Sequence, residues 1–559
     1  MTLNSLCRLI AVVVVIGAAA GAVATPSAFA SYVPGTNIFV SGSAEQSLLE
    51  NGGGTKNGFG LNWSGLISTW RANPTATQRW NWGQDGYALT GNPTITFTAT
   101  SAYAAFAELG TDPTGDPTQD PVADAQNPPL LDGFIATDEA PSFDQLQTAE
   151  NVSGSQEIEV PVAQAPLALI FSLPSGITLS TGARLSLINN GPGDSGSTLQ
   201  AVFDGKVGPT HGYPANTWGA FLVRAGFAPL TSGTPSATTF LDTGSAGSHT
   251  GGYQPLELEV RSGDAPETNV LQTFMSMSGD TNLPSPPSDA EQNWPSNAND
   301  GAGSGAYPAG PFGANTTDAT LVKNTLATSG TVGYALMGDA VFGVPGEPFQ
   351  ATPSLTTYEG SSPHQYLFAE VQTDEGTTGT RHYAEPGAVG TNGSGSLEAI
   401  PNLYTGNDLN FYEDPNATSL ADCPYTVGPS DEGVGDWCLL NGPNGQPWEG
   451  AASDPDVYRH SAPNGSANQP VNAYPIVEVT YDTAWYYYGA PNSPQSIYGS
   501  YTNATNTGNT VASYLNWVTK ATGGQAMIDS AKVGWGELPA GMQPTAAAFA
   551  SRISSADVS

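Results

Sequence analysis

The stretch Glu157–Pro174, EIEVPVAQAPLALIFSLP, decides the fold. It is a long, apolar, β-rich segment. Such a run suits a buried strand passing between two lobes. Everything around it alternates between strand and helix patterns. Upstream, NIFVSGSAEQSLLEN (37–51) gives a short apolar strand, a Gly-Ser turn and a helix-compatible segment. A turn of that kind points N–H groups and hydroxyls at whatever sits above the helix N-terminus. TITFTATSAYAAFAEL (94–109) repeats the pattern, with a strand over Thr94–Thr98, and LLDGFIATDEAP (130–141) is a buried strand ending in Asp138.

Downstream, TLQAVFDGKV (198–207) is expected to be a helix that stops at Gly205. LELEVRSGDAPETNVLQTF (256–274) gives a strand end with Arg261 at its lip, a tight turn and a helix start. DATLVKNTLATSGTVGYALMGDA (318–340) gives a helix, a turn and a strand over Thr331–Leu336. YPIVEVTYDTAWYYY (474–488) is a strand, and NTVASYLNWVTKATGGQAMI (509–528) an amphipathic helix with Val511, Leu515 and Val518 on one face. The alternation predicts an α/β protein with its ligand site outside the carboxyl ends of the strands, in a cleft between two lobes.

The chain's 559 residues exceed one core of ordinary size. Its 67 Gly and 45 Pro, with only 11% charged residues, exclude a long-helix bundle. Fourteen Lys and Arg stand against 50 Asp and Glu, a net charge of −36. No basic run exists, which argues against nucleic acid and against a polybasic grip on anionic membrane. The acidity speaks of solubility outside the cell, and it opposes long-range steering of an anion. Residues 1–30 carry Arg8, an apolar run and the Ala28-Phe29-Ala30 cleavage pattern of a signal peptide, the alternative being a retained anchor. No later segment approaches the ~20 apolar residues of a membrane span.

The expected organisation is a signal peptide (1–30), the first part of lobe I (31–155), lobe II with the crossover (156–340), and a Gly/Asn/Pro-rich insertion (341–470). A return segment (471–545) and a flexible tail (546–559) complete it. Cys423 and Cys438, fifteen positions apart in that insertion, form a disulfide on the simplest reading, metal binding being the alternative. Trp63, Trp70, Trp80 and Trp82 are core aromatics, or a sugar platform. Asp112, Asp116, Asp120 and Asp124 lie in a Pro-rich loop without the ligand spacing of a calcium loop.

The order of these motifs resembles the phosphate-binding proteins of ABC importers, within the type 2 periplasmic-binding-protein fold. The resemblance spans roughly Asn37 to Met542, with large loop-rich insertions. It is carried by Gly42-Ser43-Ala44, Thr100-Ser101-Ala102, FIATDEAP, VPVAQAPLALIFSLP, LQAVFDGKV with Trp218, VRSGDAPE, TSGTVGYALMGDA, YPIVEVTY, YLNWVTKATGG and VGWGELP. It implies a two-lobed α/β fold that holds phosphate, or a related oxyanion, dry between the lobes, and an ABC permease as partner. Arg261 would then be the charge partner and Asp138 the proton acceptor. Ser43, Ala44, Ser101 and Thr268 would complete the ligand set.

The chain departs from the family pattern where Ala265-Pro266-Glu267 replaces Ser-Gly-Thr. A hydroxyl becomes a methyl, an N–H is lost, and a second hydroxyl becomes a carboxylate. Bonds to a charged group are worth about 1.5–3 kcal/mol each, so the loss bears directly on phosphate affinity. The alternative is therefore a binding-fold protein with another ligand or an extracellular interaction role. Enzyme signals are absent from the sequence: there is no Gly-x-Ser-x-Gly elbow, no His pair at metal spacing and no phosphate loop, and the five histidines are scattered. Neither a cofactor nor a metal is expected.

Overall fold

The computed structural model describes residues 37–553, apart from 44–45, 53–54, 57–58, 61–62, 73–93, 101–104, 106–132, 138–156, 189–197, 204, 244–250, 262–266, 268–269, 272–297, 300–317, 343–357, 360–364, 374–381, 392–396, 404–472, 486–487, 489–500, 541 and 552. The expected signal peptide, Trp80, Trp82, the four evenly spaced aspartates and both insertion cysteines lie outside the described residues.

The chain forms a mixed α/β fold around a central mixed sheet. Its ten strands are β1 (Asn37–Ser43), β2 (Thr94–Thr100), β3 (Phe134–Thr137), β4 (Glu157–Ser172), β5 (Glu257–Glu259), β6 (Ala298–Asn299), β7 (Thr331–Leu336), β8 (Tyr358–Glu359), β9 (Gln365–Phe368) and β10 (Val477–Trp485). The strand order is β6-β5-β7-β4-β10-β3-β1-β2, with β9 also on β4 and β8 on β9. Each half repeats one plan. In the first, β1 lies between parallel β2 and β3. In the second, β5 lies between parallel β6 and β7. Antiparallel strands close both sets: β10 against β3, and β4 against β7.

β4 joins the halves. Residues up to Pro166 pair with β10, and residues from Leu167 pair with β7. Prolines are costly in a central strand because they cannot donate to the ladder. Here Pro161 sits at a register shift, where Thr480 and Tyr481 of β10 face Ala163 and Pro161 in turn. Pro166 faces Val477, where β10 begins. The bulge leaves the Val162 carbonyl to Gln525, whose Nε2 donates to it at 2.8 Å. Every residue of β7 and β10 is buried, as expected of strands covered on both faces.

The nine helices are α1 (Ser47–Asn51), α2 (Leu66–Ala72), α3 (Thr198–Phe203), α4 (Trp218–Arg224), α5 (Asp318–Ala327), α6 (Met337–Phe342), α7 (Tyr501–Val518), α8 (Gly524–Ala531) and α9 (Gln543–Ala550) among the described residues. Trp63 and Trp70 are buried core. The amphipathic pattern over 509–528 is two helices. Gly523 and Gly524 break it, and a Cβ at either would lie about 2.5 Å from the Trp517 carbonyl or from Val518 Cα. The Ala-rich end, expected as a tail from 546, belongs in part to α9, and Ala546, Phe549, Ala550 and Ile553 are buried. Within the expected insertion the described residues include a strand pair, Gly387–Thr391 with Leu397–Pro401, as well as β8 and β9.

Candidate functional site at the strand carboxyl ends

The registers fix where the strand ends point. Thr137, last in β3, faces Tyr481, which faces Pro161 of β4. Leu336, last in β7, faces Leu167 of β4. The carboxyl ends of both halves therefore converge on Pro161–Leu167, six residues or roughly 20 Å of strand. Ser43 at the end of β1 and Arg261 just past β5 stand at these converging ends, both buried.

Arg261 is held on three sides. Its backbone N–H donates to the Tyr334 hydroxyl at 3.1 Å. Its Nη1 donates to Asp318 Oδ1 at 2.5 Å and to Glu267 Oε2 at 3.2 Å. Asp318 opens α5, and its Oδ2 accepts the Leu336 N–H at 2.8 Å, which ties the guanidinium to the end of β7. Glu267 has helical backbone, with Val270 and Leu271 buried one turn on. The arginine side chain is 8% exposed, and the carboxylates are 0% and 1% exposed. Charge-assisted bonds in so dry a place are strong. Two carboxyl groups thus share one guanidinium.

The space between the strand ends is lined by packed residues from both halves and from the C-terminal segment. A Cβ on Gly338, in the first turn of α6, would stand 2.9 Å from the Val533 carbonyl, 3.3 Å from Trp535 Nε1 and 3.5 Å from Leu48 Cδ2 of α1. Gly534, at φ 90°, supplies the other side of that approach, where any side chain would be strained. The segment is stitched to β4: Gln164 and Gly536 exchange backbone bonds at 3.1 and 2.8 Å, Gln164 Nε2 donates to the Glu537 carbonyl, and Gln525 accepts the Leu538 N–H.

A second ionisable cluster lies under α1. Glu50 and Asp482 are fully buried, and the buried Tyr514 hydroxyl donates to Glu50 Oε2 at 2.5 Å. Burial pushes the Glu50 carboxyl up to about 7 against the smaller, opposing effect of the Tyr514 bond. Burial, then the neighbouring Glu50, also raises Asp482 well above its ordinary value. No described residue donates a hydrogen bond to either oxygen of Asp482.

Of the residues singled out from sequence, the structure brings Arg261 to the carboxyl ends and buries Ser43 there. Ala44, Ser101, Asp138 and Thr268 lie outside the described residues. Sequence reasoning missed Asp318 and the Glu50–Asp482–Tyr514 cluster. An acidic residue opening a helix before a fully buried strand was the available signal for Asp318. Among the described residues no group of three or more His, Cys, Asp or Glu is arranged to hold a metal ion, and no helix is long and apolar enough to cross a membrane.

No family model matches the sequence, and no curated protein matches it. Solved structures do. The chain is similar to a high-affinity periplasmic phosphate-binding protein, PfluDING, determined with phosphate bound, at a TM-score of 0.43 and 14% identity over 92% of this chain and 93% of that one. It is similar to a phosphate-binding protein from Stenotrophomonas maltophilia at a TM-score of 0.44 and 13% identity, over 92% and 93%. An ABC-type phosphate transport receptor from Vibrio cholerae gives a TM-score of 0.23 and 10% identity, over 54% and 72%.

Proposed function

We propose that the chain is an exported solute-binding protein that holds a small oxyanion, phosphate in the first place, where the strand ends of its two halves converge. The observation that carries this reading is the place of Arg261: the one buried cation among the described residues stands at that convergence. The two carboxylates beside it restrict the anion. A ligand approaching Glu267 and Asp318 must offer them a proton, because an unpaired buried carboxylate facing a second anion is costly. Monohydrogen phosphate carries such a proton and fully ionised sulfate does not. Ser43, Ala44, Ser101, Asp138 and Thr268 are the further ligands of this reading, and an ABC permease is the partner that such a role implies.

A second reading draws on the trio itself. Arg261 is already paired, and Leu48, Gly338 and Trp535 meet between the halves. On that reading the arginine is structural, and the protein takes an uncharged ligand or works as an extracellular interaction protein. One thermal-shift screen separates the two, since a ligand that binds the native state stabilises it by mass action. The oxyanion reading expects Tm to rise with phosphate and not with sulfate or sugars. A rise with a sugar alone, or with nothing, supports the second.

A further inference from the structure

Eight carboxyl side chains are buried among the described residues, against one buried arginine and no buried lysine or histidine. Arg261 serves two of them, and Glu370 meets Arg184, whose side chain is 56% exposed. Glu50 and Asp482 have no such partner. A buried ionised carboxyl without a cation is costly, and such a group takes up a proton instead.

The surroundings of the pair support that outcome. α1 contributes Glu50 and its N-cap Gln46, both fully buried. α7 contributes Tyr514, which stacks on Phe134 of β3 at 5.3 Å and meets Trp70 of α2 edge-on at 5.7 Å. β10 contributes Asp482, with Tyr481 next to it and Glu478 four residues before it, all fully buried. β1, β2 and β3 contain no titratable side chain. Tyr488, packed by the first half, donates its hydroxyl to the Gly133 carbonyl. Arg71, in the last turn of α2, is exposed. Every titratable side chain described around the pair is thus an acid or a phenol.

We infer that Glu50 and Asp482 form a proton-dependent latch: α1, α7 and β10 close on one another while the pair carries a proton, and the first half of the sheet loosens when both carboxyls are ionised. Among the described residues no cation takes the proton's place. Tyr514 donates to Glu50 in either state, so it positions the pair without neutralising it. α1 also carries Leu48, so the latch holds the contact with Gly338 of the second half.

The direction of the pH dependence follows. Glu50 binds its proton more tightly folded, at about 7, than at its ordinary 4.5. The folded state carries more protons across that window, so the stabilisation is fully present below it and is lost as pH rises through about 7. Thermal unfolding of the whole chain, followed by circular dichroism across the window, tests this. The wild-type Tm should fall by several degrees as pH rises, and E50Q/D482N should lose most of that fall. A wild-type Tm that stays level or rises, or a double variant that keeps the whole fall, overturns the latch. Should the double variant fail to fold, infrared spectroscopy of the wild type decides. A protonated-carboxyl band should be present at pH about 6 and weaken as pH rises through about 7; a band absent at pH about 6, or unchanged across about 7, overturns the inference.

Discussion

The two halves of the sheet bury an acid at matching places and neutralise it differently. In the first half, Glu50 follows β1 and, among the described residues, meets Tyr514 and a second carboxyl. In the second half, Glu267 follows β5 and shares the Arg261 guanidinium with Asp318. The strand plan around both is the same. A buried carboxyl needs a cation or a proton, and the choice sets its response to pH. The acids of the second half are paired to a fixed arginine. The first half depends on a proton whose hold at Glu50 weakens as pH rises through about 7.

The strongest way to break this contrast is to take the cation from the second half. Arg261→Ala strands two carboxylates, and losing one partner of a buried ionic group costs about 3–5 kcal/mol, measured by urea denaturation. Replacing the trio together, as R261M/E267Q/D318N, should cost less. Equal losses would show that charge is not what holds this end. Next in size is Gly338→Ala, whose Cβ would crowd the Val533 carbonyl at 2.9 Å. Overpacking there should cost about 1–3 kcal/mol, and a neutral result would mean that the contact between the halves is slack. The smallest effect is expected from Tyr514→Phe, about 1 kcal/mol for one hydrogen bond. Its sharper signature is in pH. The Tyr514 bond lowers the Glu50 value, so the variant should keep its stability to higher pH than about 7. A shift to lower pH would contradict the arrangement of the first half.

Much of the fold was legible in the chain. β7 runs over Thr331–Leu336 as the apolar pattern predicts, and β4 crosses from β10 to β7 within the stretch that announced it. Long β-rich apolar runs are unambiguous because both faces must be covered. Helix ends were less legible: the apolar period continues through Gly523 and Gly524, where close packing on Val518 and Trp517 stops the helix. Of the candidate site, Arg261 was legible from its place at a strand lip. Its partners were not equally so. Glu267 is six residues away, while Asp318 is 57 away and arrives only because β5 pairs with β7. Tyr514 and Glu50 are 464 residues apart, and no local pattern joins them.

The central claim is that Arg261, although shared by two carboxylates, anchors a proton-bearing oxyanion at the junction. Isothermal titration of the folded chain with phosphate, and in parallel with sulfate, tests it most directly. The account predicts saturable heat with phosphate at about micromolar affinity or tighter, near 8 kcal/mol or more, and none with sulfate. No heat with phosphate from a folded sample, or equal binding of sulfate, would contradict it.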